Sequence, residues 1–117
     1  MSESNELYAS VNYIKNKVDT LEKIEILRMK TDVELKNKYA SMLQSDKDLL
    51  TVYKAIDGIK SQKDIANTCN INEVQVSRKI AKLEMEGLIE RVGAVSSRNK
   101  IYIHTVVERA YRFRKEL

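Results

Sequence analysis

Leu7, Val11, Ile14, Val18 and Leu21 recur at spacings of four, three, four and three, which places them along one face of a helix as a short heptad-like stripe. Glu25 and Arg28 occupy the next two heptad positions, while Ile24, Ile26, Leu27 and Met29 carry apolar character onward at a shifted angle. The pattern predicts a helix from Leu7 to Met29. Such a helix either packs on its own domain or pairs with another copy. Its length favours pairing, because it projects beyond what a small core can cover.

Four pairs then match the capping-box spacing, in which a Ser or Thr precedes an acid by three residues: Thr31 and Glu34, Ser45 and Asp48, Ser61 and Asp64, Thr105 and Glu108. They predict a helix from Asp32 to Leu43 with Leu35, Tyr39 and Met42 inward. A second runs from Asp46 to Asp57 on Leu49, Leu50, Tyr53 and Ile56, with Gly58 just past its end. Gln62 to Thr68 reads as a short helix burying Ile65 and Ala66, and Cys69-Asn70-Ile71 as a tight connection. Asn72 caps a helix with Val76, Ile80 and Leu83 inward, and Gly87 ends it. Leu88 to Val92 reads as a strand, Gly93 to Asn99 as a turn segment, and Lys100 to His104 as a second strand in which Ile101 and Ile103 alternate with Tyr102 and His104. A final helix, Val106 to Leu117, turns Val106, Val107, Ala110 and Phe113 toward the N-terminal helix. Arg109, Arg112, Arg114 and Lys115 then face solvent or add phosphate contacts.

The expected fold is mainly α with a small β-hairpin wing: a winged helix-turn-helix preceded by a long N-terminal helix. Its parts are an N-terminal helical dimerisation segment over 1–45, the winged helix-turn-helix over 46–105, and a C-terminal helix over 106–117 that packs on the N-terminal segment.

Composition narrows the chemistry. The 117 residues suffice for one domain. One Cys and one His leave no disulfide framework and no zinc site built within one chain. Cys69 reads first as a small buried hydrophobe and His104 as structural. No phosphate loop, nucleophile elbow or carboxylate constellation appears, so neither an enzyme nor a cofactor or metal is expected. No apolar run is long enough to span a bilayer and no secretory leader pattern opens the chain, so the expectation is a soluble cytoplasmic protein.

The net charge of +4 is uneven: Met1 to Gly58 carries nine basic and ten acidic residues, Ile59 to Leu117 twelve and seven. A basic C-terminal half suits a polyanion, or is a solvated face.

The run Asp64-Ile65-Ala66, then Ile71-Asn72, then Val76-Ser77-Arg78 through Leu83-Glu84 and Gly87-Leu88-Ile89 to Arg91 resembles the winged helix-turn-helix of MarR/ArsR-type transcriptional regulators. The resemblance covers Ile59 to Thr105. It implies a dimeric regulator that binds double-stranded DNA. The chain departs from the family in being shorter, with a short last helix and a longer N-terminal helix, and in two features of its residues. No acid precedes the wing arginine in Ser96-Ser97-Arg98, and the Cys and His clusters of ArsR metal sensors are absent.

On that reading helix 73–86 enters the major groove. Gln75 pairs with adenine, Arg78 with guanine, and Val74 meets a thymine methyl. Ser77, Lys79 and Lys82 contact phosphates, as do Ser61, Gln62 and Lys63 at the preceding helix N-terminus. In the wing, 93–100, Arg98 reaches the minor groove and Lys100 flanks it. Leu7, Val11, Ile14, Val18 and Leu21 form the homodimer contact. Two other functions fit the same residues: a chromatin-like or replication-associated DNA binder of low specificity, and a winged helix used as a protein-interaction adaptor. No residue marks a small-molecule effector.

Overall fold

The computed structural model describes residues 3–96 and 99–117, with side chains from residue 9 onward. The chain is a winged helix-turn-helix behind a long N-terminal helix. Its elements are α1 (Glu3–Thr31), α2 (Val33–Gln44), α3 (Lys47–Ala55), α4 (Gln62–Cys69), α5 (Glu73–Met85), β1 (Ile89–Ser96), β2 (Asn99–His104), α6 (Val106–Tyr111) and α7 (Phe113–Glu116).

One core unites them. Leu49, Val52 and Tyr53 of α3, Ile65 and Ala66 of α4, and Val76, Ile80 and Leu83 of α5 pack with Leu43, Ile56, Leu88, Ile89 and Tyr102. Inward residues at i, i+4 and i+7 on α5 are what a half-buried helix requires. At the other end α6 lies on α1. Val107, Ala110, Tyr111 and Phe113 are buried, and the Tyr111 hydroxyl donates to the Met29 carbonyl at 2.7 Å. Tyr39 of α2 donates to the Glu86 carbonyl at 3.3 Å, tying α2 to the end of α5.

Of the four capping pairs, one is a capping box. Ser61 Oγ accepts from the Asp64 N–H, and Asp64 returns a bond to the Ser61 N–H. At the next two the cap is the following aspartate. Asp32 accepts from Leu35 N–H at 3.0 Å and Asp46 from Leu49 N–H at 3.2 Å. Thr31 and Ser45 instead close the preceding helices, donating to the Arg28 and Met42 carbonyls. A carboxylate is the better partner for a helix N-terminus, since it adds charge to the hydrogen bond. At the fourth, Thr105 Oγ1 donates to the Gly87 carbonyl, and Glu108 serves Tyr53 and Arg114.

Other boundaries also differ from the sequence reading. Helix α3 ends at Ala55, with Ile56 extended. Gly58 is therefore not a helix cap. It lies at φ +80° in the turn that follows, its N–H donates to the Tyr102 carbonyl, and a Cβ there would meet Ile103 Cγ2 at 2.8 Å. Strand β1 runs on to Ser96 through register irregularities between Arg91 and Gly93 and between Ala94 and Ser96, where a turn was expected from Gly93. In β2 it is Tyr102 that is buried, while Ile101 and Ile103 are half-buried. Both edges of that strand are engaged, because Ser61 forms a bridge with Ile101 opposite β1. The final helix is broken. Arg112 adopts φ +54°, separating α6 from α7 and letting Phe113 reach the core.

Two left-handed residues shape the helix-turn-helix. Gly87 follows α5 in a Schellman arrangement, with Leu88 N–H to the Leu83 carbonyl and Gly87 N–H to the Glu84 carbonyl. Asn70 does the same after α4, with Ile71 N–H to the Ala66 carbonyl at φ +54°. This second turn sets α5 across α4, and Asn72 then caps α5 by accepting from Val74 N–H at 2.7 Å.

Candidate nucleic-acid interface

With Val76, Ile80 and Leu83 buried, the opposite face of α5 presents Val74, Gln75, Arg78 and Lys82 to solvent. Val74 is 58% exposed. Met85, 79% exposed, extends this face toward the helix end, and the sequence reading did not single it out.

Between α4, α5 and the hairpin run two adjoining clefts. One, of about 390 Å³, is lined in part by Gln62, Ser77, Glu84, Lys100 and Tyr102. The other, of about 360 Å³, is lined by Gln62, Lys63, Glu73, Ser96 and Asn99. The fold thus gathers four of the expected contact residues, Gln62, Lys63, Ser77 and Lys100, into one groove beside the exposed face of α5. Glu73 and Glu84 limit its positive charge.

Two expected phosphate ligands are not free to act as such. Ser61 is 1% exposed, and its hydroxyl and N–H are both committed to Asp64. Lys79 lies on the flank of α5 facing α3, where its ammonium sits 2.6 Å from Asp46 Oδ2. The same contact, rather than burial, is the main reason the Asp46 carboxyl titrates below its ordinary range. Lys79 therefore ties α5 to the N-terminus of α3. Arg98 lies outside the described residues, as does the side chain of Leu7.

The N-terminus of α4 is also more occupied than its position suggests. Lys63 N–H donates to Asn99 Oδ1 at 3.1 Å, Asp64 N–H to Ser61 Oγ, and Ile65 N–H to the Ser61 carbonyl. Asn99 is the residue that sequence reasoning missed. Its side chain crosses from the wing to α4 and braces the hairpin. An Asn beside a hairpin tip reads equally well as a turn residue, so nothing in sequence marked it.

The remaining polar candidates are structural. His104 is packed edge-on to Tyr53 with ring centroids 4.5 Å apart, and its Nε2 lies 2.7 Å from the Tyr53 carbonyl. That carbonyl only accepts, so Nε2 carries a proton. Burial holds the imidazole below its ordinary pKa, outweighing the hydrogen bond that acts the other way. The Tyr53 hydroxyl donates to Glu108 at 3.0 Å, and burial, reinforced by that carboxylate, pushes its pKa up. Half-buried Cys69 points at the Thr51 carbonyl, and burial raises its thiol pKa, so it packs as a small hydrophobe. Among the described residues no group of three or more His, Cys, Asp or Glu is placed to hold a metal, and no helix is long and apolar enough to cross a membrane.

Fold and groove together define a winged helix-turn-helix with an exposed second helix. No protein-family model matches the chain, and no curated protein does. Among solved structures, three mutants of MepR from S. aureus are similar to it in fold. One, from a multidrug-resistant clinical isolate, is 19% identical, with 99% of this chain and 73% of that one covered at a TM-score of 0.41. A second such mutant is 22% identical, with 97% and 73% covered at 0.39. The third is 21% identical, with 97% and 74% covered at 0.39. The winged-helix fold itself stands on the element order and hairpin pairing of this chain.

Proposed function

We propose that this protein is a dimeric, sequence-specific DNA-binding transcriptional regulator that represses by occupying a promoter. The observation that carries the reading is the outward face of α5, where Val74, Gln75 and Arg78 are exposed beside a groove holding Gln62, Lys63, Ser77 and Lys100. A helix with a bidentate amide, a bidentate guanidinium and a methyl-bearing side chain on one exposed face matches the donor, acceptor and methyl pattern of major-groove base edges. Lys63 and Lys100 in the groove alongside suit the flanking phosphates. Two such heads on a two-fold axis read a pseudo-palindrome with half-sites about one helical turn, or ~10 base pairs, apart. The heads are joined through the N-terminal helices.

Fluorescence anisotropy at two salt concentrations tests this, using a duplex from the region upstream of the protein's own gene and an unrelated duplex. Tight binding to the first alone is the expected result. Equal binding to both, collapsing with salt, indicates a low-specificity architectural protein instead. No binding to either at low salt indicates a winged helix used for protein contacts.

A further inference from the structure

From residue 9 to residue 21 every position of α1 is exposed, and only at Val18 and Leu21 does this stretch border the body, across a cleft shared with Glu90, Thr105, Val106 and Arg109. Helices in proteins draw most of their stability from packing an apolar face, and this stretch of α1 packs none. It also bears Val11, Ile14, Val18 and Leu21, exposed by 56, 61, 56 and 65%. Burial against the body begins at Glu22, Ile26 and Met29, which lie on an adjacent face. The apolar seam ends where that burial starts, since Glu25 and Arg28 take the next two seam positions.

We infer that the occupant of this seam is a second copy of the chain, aligned parallel and in register. The inference rests on the dimeric reading above and adds to it the direction, register and residues of the contact. Val11 and Val18 fall at the heptad a positions and Leu21 at d, the pattern that favours two strands in a parallel assembly; Ile14 at d is the departure. Charge sets the direction. In parallel register Lys17, at g, faces Glu22 of the second copy, at e. Glu22 already pairs with Arg109 of its own chain, and its two carboxylate oxygens accommodate both cations. An antiparallel pairing with Ile14 opposite Val18 sets Lys15 against Lys15 and Lys17 against Lys17, which repel. The parallel arrangement puts both winged-helix bodies at the same end of a two-helix stalk, on a two-fold axis along it.

The test uses the full chain with Cys69→Ser, carrying either Val11→Cys or Leu21→Cys, in a glutathione redox buffer. Each variant is expected to form disulfide-linked dimers by itself, and a mixture of the two is expected to give no mixed disulfide. A dominant mixed disulfide overturns the parallel register, as does cross-linking at one position only or at neither. Sedimentation equilibrium of the unsubstituted chain is expected to show a dimer, and Val18→Glu a monomer with unchanged circular dichroism of the winged-helix body. A monomeric unsubstituted chain, or a Val18→Glu dimer, also overturns the inference. Arg78→Ala separates this result from the DNA reading: it is expected to leave sedimentation and cross-linking unchanged, so a loss of DNA binding by that variant reports on α5 alone.

Discussion

Arg78 and Lys79 are adjacent cations on one helix, and the 100° step between them decides what each does. Arg78 projects opposite the buried Val76, Ile80 and Leu83, while Lys79 turns toward α3 and meets Asp46. Lys79 is half-buried and its pair spans two helices, so Lys79→Ala is expected to cost about 1 kcal/mol of stability, read as a lower denaturant midpoint. Gly58 is the position least tolerant of a side chain, combining a positive φ with a neighbour at 2.8 Å. Gly58→Ala is expected to destabilise by about 1–3 kcal/mol in the same measurement. His104 gives the fold a pH dependence. Its pKa is depressed in the folded chain, so the unfolded chain binds the proton first as pH falls. Stability is complete above the unfolded value of ~6.5 and declines as pH drops from there toward the folded pKa. Melting temperatures across that window are expected to fall for the native chain. They are expected to stay flatter for His104→Gln, which keeps an N–H donor for the Tyr53 carbonyl.

At the scale of elements, the periodic features were legible and the local contests were not. The inward face of α5, the turn through Asn70 and the end of α5 at Gly87 follow from spacing and from left-handed backbone preference. The helix starts at Asp32 and Asp46 did not follow from the capping-box pattern, because a Ser or Thr beside an Asp offers two caps and the carboxylate prevailed. The break at Arg112 was hidden for a related reason. Arginine seldom adopts a left-handed conformation, and only the burial of Phe113 against the body accounts for it. The wing brace is equally a product of tertiary packing, since Asn99 and Lys63 are far apart in sequence. Asn99→Ala is expected to cost only about 1 kcal/mol in stability, near the worth of one hydrogen bond. Its larger effect is expected in DNA affinity, because the wing and the α4 N-terminus lose their shared register; anisotropy beside a denaturant titration separates the two.

For the whole molecule, the uneven charge of the sequence becomes a groove in the fold, but a less basic one than the count of lysines suggests. Lys79 is paired and the α4 N-terminus is largely occupied, which leaves Lys63 and Lys82 as the free lysines expected at phosphates among the described residues, with Lys100 beside them in the wing. The dependence of log affinity on log salt is set by such contacts at about 0.9 per phosphate neutralised. Lys63→Ala is expected to lower the slope by about two in a dimer, one for each copy. The long N-terminal helix was readable from its spacing, and Val11, Ile14, Val18 and Leu21 lie exposed along it.

The central claim is that the outward face of α5 reads DNA while its flank only holds the fold together. Anisotropy of the native chain, Arg78→Ala and Lys79→Ala on the upstream duplex tests it most directly. Arg78→Ala is expected to weaken binding by roughly ten- to a hundredfold, with Lys79→Ala close to the native chain wherever it remains folded. Equal losses in the two variants, or a loss in Lys79→Ala alone, would contradict the assignment of α5 as the reading helix in this orientation.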